Sequence, residues 1–298
     1  MSVSQSSNLP YSVSDSAKTF DTVEMDLDAA RAFLPLKPGW CHGDQTLEDA
    51  ATLIALAQLK KDGNILEIGT SAGEGAAALL YGCREGSGTL TGIDLAEQVY
   101  YDKSHKVGDV VPEALPEMQA RYTIFSGVAS EHVLTMDMKF DLVHIDAAHS
   151  HPWATFDMLS AMTQVNDGAI FAFHDANYTA ALSQAAYYLS RIMSGQGRFI
   201  GNHFAFVYKK EMGAELVEAI LDILDLPWQT SLPPENLVAL HAALSRAFPD
   251  VEVMRIMSKL LEKNAEYLAN AHIHEALNKG LWQRELERRR LLAERKDS

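Results

Sequence analysis

The chain has 298 residues, 47% hydrophobic and 22% charged, enough for one full core or for a domain with an appendage. Its 25 Lys and Arg against 40 Asp and Glu give a net charge of −15, which repels nucleic-acid backbones and anionic lipid and argues against both as partners. No apolar run approaches the roughly 18 residues that span a bilayer, no secretory signal opens the chain, and Cys41 and Cys83 are too few for a disulfide framework.

These features predict a soluble, reduced, cytoplasmic protein. Residues 1–25 read as a flexible tail, with six serines among the first fourteen positions. A short helical pattern follows at Leu27–Leu34, closed by Pro35, and a longer one at Thr46–Lys60 with Asp44 or Thr46 as its cap. Strands are expected at Asn64–Ile68, Thr89–Asp94, Tyr122–Phe125, Asp141–Asp146 and Ala169–His174, with a final pair near Arg198–Ile200 and Phe204–Tyr208. Helical patterns separate most of them, at Gly75–Cys83, Ser130–Met136, Trp153–Met162 and Ala180–Met193. Short apolar strands alternating with helices indicate a mostly parallel sheet covered on both faces. The Gly201-Asn202 turn joins the last two strands as a hairpin, with one antiparallel strand at the edge. The sequence therefore divides into an α/β domain at 26–210 and a helical extension at 211–298. That extension ends in a basic stretch, Arg284 to Lys296, suited to an acidic face of another subunit or to solvent.

The strongest motif is Glu67-Ile-Gly69-Thr70-Ser71-Ala-Gly73-Glu-Gly75, placed directly after a strand and opening a helix. Glycine permits positive φ and close approach of a ligand to the backbone. The free N–H groups of the following helix receive an anion. Asp94, at the end of the next strand, is placed to accept hydrogen bonds from a ribose diol. The spacing is neither the dinucleotide fingerprint nor a P-loop.

At these residues the sequence resembles the class I S-adenosylmethionine-dependent methyltransferases, whose first motif is E-x-G-x-x-x-G-x-G, over about residues 45–210. The resemblance implies a Rossmann-like, doubly wound, seven-stranded fold with 26–210 as catalytic domain. It sets the loop from Gly69 to Gly75, with Glu67, Thr70 and Ser71, against the cofactor, and Asp94 on its ribose. Gly127 and Val128 fall where such enzymes line the adenine pocket.

A second cluster, His144-Ile-Asp146-Ala-Ala-His149-Ser-His151, ends the fourth strand, and Phe173-His174-Asp175-Ala-Asn177 ends the fifth. Asp146 and Asp175 can converge at the rim of the glycine loop, where two carboxylates share a cation or a proton, or each can cap the helix that follows. Oxygen donors favour Mg²⁺, Ca²⁺ or Mn²⁺, and an added histidine admits Fe²⁺ or Zn²⁺. The D-x-x-H-S and H-D pattern resembles the metal-dependent subgroup that methylates hydroxyls of sugars and natural products. That resemblance implies Asp146 and Asp175 as metal ligands, Mg²⁺ foremost and Mn²⁺ or Fe²⁺ as alternatives, Asp146 also near the cofactor, and His149 as base. It departs at His174, where the macrolide-sugar enzymes carry glutamate; His174 is taken as the third ligand, with Asn177 a further candidate. His144 reads as a packed strand histidine, and His151 as either packed or at the mouth.

The connection Gln98–Lys106, with Tyr100 and Tyr101, and the segment Pro38–His42 read as walls of an acceptor site or as surface elements. The function expected is methyl transfer to a hydroxyl of a small molecule, in a homo-oligomer assembled through the C-terminal helices. Two alternatives are a metal-dependent hydroxylase-like protein on the same fold, as in a relative associated with cephalosporin hydroxylation, and a non-catalytic assembly protein.

Overall fold

The computed structural model describes residues 19–42, 45–176, 197–210 and 213–273. Asp26 caps helix α1 (Leu27–Phe33), accepting from the Ala29 N–H at 3.0 Å. Helix α2 (Leu47–Leu59) starts at Thr46, which forms a capping box with Asp49. The Thr46 hydroxyl oxygen accepts from the Asp49 N–H. In return Asp49 Oδ2 accepts from the Thr46 N–H at 2.9 Å and from its hydroxyl at 2.7 Å. Asp44, the other expected cap, lies outside the described residues.

Seven strands follow: β1 (Asn64–Ile68), β2 (Thr89–Asp94), β3 (Tyr122–Ser126), β4 (Phe140–Ile145), β5 (Val165–Phe173), β6 (Gly197–Ile200) and β7 (His203–Val207). Helices α3 (Glu74–Gly82), α4 (Val110–Ala114) and α5 (Trp153–Met162) lie between them. Helices α6 (Gly213–Leu224), α7 (Pro234–Ala247) and α8 (Asp250–Ala269) come after the sheet. The strand order is β3-β2-β1-β4-β5-β7-β6. Strands β1 to β5 pair in parallel, whereas β7 runs antiparallel to both β5 and β6, so the hairpin closes one side of the sheet.

Strand β5 begins four residues before the expected Ala169, because Asn166-Asp167-Gly168 breaks the apolar pattern while Val165 already pairs with Phe140 ahead of a register shift. The helix expected at Ser130–Met136 forms a 3₁₀ segment, Ser130–Thr135. Six residues are too few to repay α-helix nucleation without strong packing. The helix expected at Ala180–Met193 lies outside the described residues.

Strand alternation divides the core in two. Leu66, Ile68, Val143, Ile145, Phe171, Phe173, Phe204 and Phe206 point to the face covered by α5, α6, α7 and α8. Ile65, Leu142, Ile170, Ala172 and Ala205 point to the face covered by α1, α2 and α3. Polar residues sharing the parity of this second set (Glu67, His144, His174 and His203) are carried to the same buried side. Register brings them into a row: Glu67 pairs with His144, His144 with Ala172, and Ala172 with Ala205. One step beyond the Phe173–Phe204 pair, the His174 and His203 rings stand 4.9 Å apart.

Candidate active site

A cavity of about 920 Å³ opens at the carboxyl ends of β1, β2 and β4, the position where open α/β sheets bind ligands. Its volume lies toward the upper end of the ~300–1,000 Å³ typical of small-molecule sites. The loop from Gly69 to Gly75 forms its floor. The glycines there answer to the protein's own backbone rather than to a ligand. At Gly69 (φ +93) an added Cβ would stand 2.2 Å from the Asp146 carbonyl oxygen, and at Gly73 (φ +94) 2.9 Å from Gly108 Cα. At Gly75 it would meet Glu67 Oε1 at 2.4 Å. The loop is thereby pressed against the end of β4, which seats Asp146 beside it.

Glu67, Gly69, Thr70, Ser71, Gly75, Asp94, Val128, Asp146, His149, His174 and Asp175 all line the cavity. Gly73 caps α3 in the left-handed conformation, and Gly127 (φ +75) turns the chain after β3; neither lies on the cavity wall. Asp94 Oδ2 accepts from the Ser71 N–H and Oδ1 from the Ala96 N–H, both at 2.7 Å. These bonds fix the carboxylate and leave lone pairs toward the cavity. Gln45 Oε1, Glu67 Oε2 and Thr70 Oγ1 on the same wall are buried and without a hydrogen-bond partner among the described residues. Such atoms are costly unless a ligand or water engages them. Burial pushes the Glu67 carboxyl up, against the lowering effect of its hydrogen bond to His144.

The second predicted cluster converges at the rim. His149 lies between two carboxylates, its Nε2 3.3 Å from Asp146 Oδ1 and its Nδ1 3.6 Å from Asp175 Oδ2. Asp175 adopts φ +54, a strained setting for a non-glycine residue of the kind found at functional sites. Asn202 donates to Asp175 Oδ1 at 2.7 Å. His174 turns Nδ1 onto Asp146 Oδ1 at 2.9 Å and Nε2 toward Asp49 Oδ1 at 3.4 Å. Burial opposes charge on His174, but the neighbouring Asp146 and Asp49 carboxylates outweigh that and push it up to about 10. Burial likewise works against the Asp146 charge, and the bonds from His149 and His174 overcome it, holding the carboxyl well below the usual range. Asn177 lies outside the described residues.

His144 is fully buried, its Nδ1 3.2 Å from Glu67 Oε1. His151 is also buried and off the cavity wall; burial pulls its imidazole down to about 4. Both are packing histidines. Tyr100 and Tyr101 line the cavity, and Trp40 stacks on His105 with ring centroids 3.7 Å apart, tying residues 38–42 to the connection after β2.

Sequence reasoning passed over Asp157, Pro233, Glu235 and Asn236, which also line the cavity. Asn236 donates to Glu131 Oε1 at 2.8 Å, joining the start of α7 to the segment after β3. An α5 acid in an otherwise apolar helix was the one visible signal, at Asp157. The contribution of α7 depends on tertiary packing and has no local signature.

Residues 66–176, from within β1 to just past β5, match the family described as a methyltransferase domain. No curated protein matches the sequence. Among solved structures, the O-methyltransferase TomG from Streptomyces achromogenes, involved in tomaymycin synthesis and in complex with S-adenosylmethionine, is 20% identical. It covers 62% of this chain and 91% of its own, with a TM-score of 0.41. The O-methyltransferase from Bacillus cereus in complex with S-adenosylhomocysteine is 17% identical over 61% of this chain and 91% of its own, TM-score 0.41. MycE from the mycinamycin biosynthetic pathway, in complex with Mg and S-adenosylhomocysteine, is 16% identical over 62% and 55%, TM-score 0.42. At these scores the likenesses carry no argument about the site.

Proposed function

We propose that the protein is an S-adenosylmethionine-dependent methyltransferase that methylates a hydroxyl of a small polyhydroxylated acceptor, a reading supported by the match of residues 66–176 to a methyltransferase domain. The observation that carries this reading is His149, held between Asp146 and Asp175 at the mouth of a cavity floored by the glycine loop and Asp94. The unpartnered polar atoms on the wall fit a ligand as polar as the methionine and ribose parts of the donor.

When bound, S-adenosylmethionine supplies a methyl group made electrophilic by the sulfonium. Asp94 accepts from the ribose hydroxyls, and the segment Val128–Glu131 borders the base. The acceptor enters past Tyr100, Tyr101 and Trp153. His149 takes the hydroxyl proton on a ring nitrogen, and the Asp146 and Asp175 carboxylates stabilise the imidazolium that results. The donor, held by the glycine loop and Asp94, would pass its methyl group to the acceptor oxygen and leave as S-adenosylhomocysteine.

The two rim carboxylates also fit a divalent cation, and Asp146 and Asp175 would hold it, with His174 bracing Asp146. Such a cation would make the acceptor hydroxyl more acidic. The acidic surface supports a small neutral or cationic acceptor rather than a nucleic acid. The same reading gives α8 a role in self-association, since Val251, Met254, Leu261 and Leu268 stand exposed on it.

The test is transfer of labelled methyl from S-adenosylmethionine to a panel of glycosides and phenols, in wild type and His149→Gln. The expected result is turnover on at least one hydroxylated acceptor. In His149→Gln it falls about 10²–10⁴-fold, the usual span of general-base catalysis, while donor affinity stays within threefold. Equal turnover in both proteins would remove the base role.

A further inference from the structure

Beneath the rim, on the α2 side of the sheet, three ligand-type atoms face one another without hydrogen-bond partners: Asp49 Oδ1, His174 Nε2 and His203 Nδ1. All lie within 4.8 Å of each other, with Asp49 Oδ1 3.4 Å from His174 Nε2 and 3.9 Å from His203 Nδ1. The side chains are 2%, 7% and 0% exposed. Leaving even one such atom unpaired in a core is costly, and here three are turned toward a common point.

We propose that Asp49, His174 and His203 form a buried binding site for a divalent transition-metal cation, separate from the rim and serving to fix His174. The donor set of one carboxylate and two imidazoles selects zinc or a similar borderline cation over Mg²⁺, which prefers oxygen and keeps its water. Two of the three ligands, Asp49 and His174, are already oriented by their other ends. Asp49 Oδ2 is held by the Thr46 N–H and hydroxyl, which leaves Oδ1 to point inward. His174 commits Nδ1 to Asp146 at 2.9 Å, and its Nε2, which faces Asp49 Oδ1 at 3.4 Å, would release its proton on taking the cation. A histidine that donates its second nitrogen to a carboxylate is the usual arrangement around protein-bound metals.

The rim offers a competing triad, Asp146, His149 and His174. There Asp146 Oδ1 already accepts from both histidines, whereas the atoms of the buried set lack such partners. The cation would lock the His174 ring and, through it, the Asp146 carboxylate, making His174 and the metal positioning elements rather than reacting ones. The inference stands on these buried atoms and does not depend on which reaction the rim performs.

The experiment is reconstitution of the full-length protein with zinc, desalting, and measurement of metal per chain by mass spectrometry. Wild type is expected to retain about one equivalent, as are Asp175→Asn and His149→Gln. Asp49→Asn and His203→Gln are each expected to retain at least tenfold less. Should those two variants fail to fold, competition of the wild type against a chromophoric zinc chelator decides. Tight retention by wild type, kept in Asp175→Asn, supports the buried site. No retained zinc in wild type would overturn it, as would loss of the metal in Asp175→Asn or its persistence in folded His203→Gln.

Discussion

Asp157 shows how a single buried group sets a pH dependence. It sits on α5 at 4% exposure, beside the Ser130 hydroxyl and the Glu131 carboxylate. Burial, with the Glu131 charge adding to it and the Ser130 hydroxyl opposing it, pushes the carboxyl up from 3.8 to about 7. Because the folded value is raised, the unfolded chain ionises first. Stability from this residue therefore falls as pH rises from about 4 through about 7. Replacement by asparagine removes that loss. Asp157→Asn is expected to gain on wild type by on the order of 2–3 kcal/mol between pH 5 and pH 8, from urea denaturation at the two values. A gap that does not change with pH would mean the carboxylate is ionised and satisfied in the fold. Single residues were unequally legible. Glu67, Asp94, Asp146 and His149 announced themselves through motif spacing. Asp49 and His203 did not, because a capping-box acid and a strand-start histidine look ordinary until the register sets them face to face.

Among the elements, the loop between β1 and α3 carries the tightest constraint. The sequence showed that glycine is needed at Gly69, Gly73 and Gly75, but the reason lies elsewhere than expected. The bare backbone accommodates neighbouring protein: the end of β4 at Gly69, Gly108 at Gly73, and Glu67 at Gly75. Gly69→Ala combines a left-handed φ, costing about 1–2 kcal/mol, with a clash against immobile backbone, costing about 1–3 kcal/mol. A total loss of about 3 kcal/mol is expected in chemical denaturation, and a loss under 1 kcal/mol would show that the loop is free to move away from Asp146. Strands β1 and β2 were read to the residue because Gly63 and Gly88 mark their starts, and Gly69 and Asp94 their ends. Strand β5 was read short, since the polar Asn166-Asp167 start hides the pairing of Val165 with Phe140. The segment after β3 was read as a helix from composition alone, which does not distinguish a 3₁₀ segment from an α-helical one.

At the scale of the whole molecule, the helices after the sheet are part of the site. Their apolar faces join the core of the α5 side, through Leu216, Ile220, Leu240, Leu244, Ile256 and Leu260 among others. The start of α7 thereby reaches the cavity, where Pro233, Glu235 and Asn236 complete the wall opposite the glycine loop. The sequence showed that these helices exist, from their spacing. Where they dock depends on contacts between segments some hundred residues apart, which no local pattern encodes. Among the described residues no helix is long and apolar enough to cross a membrane. The central claim is that this cavity, floored by the loop and anchored at Asp94, receives S-adenosylmethionine. Calorimetric titration of the full-length protein with S-adenosylmethionine and S-adenosylhomocysteine, in wild type and Asp94→Ala, tests it most directly. One site of micromolar affinity is expected, weakened about 10–100-fold in the variant by the loss of hydrogen bonds to a charged acceptor. No binding of either compound, or equal binding by wild type and variant, would contradict the account.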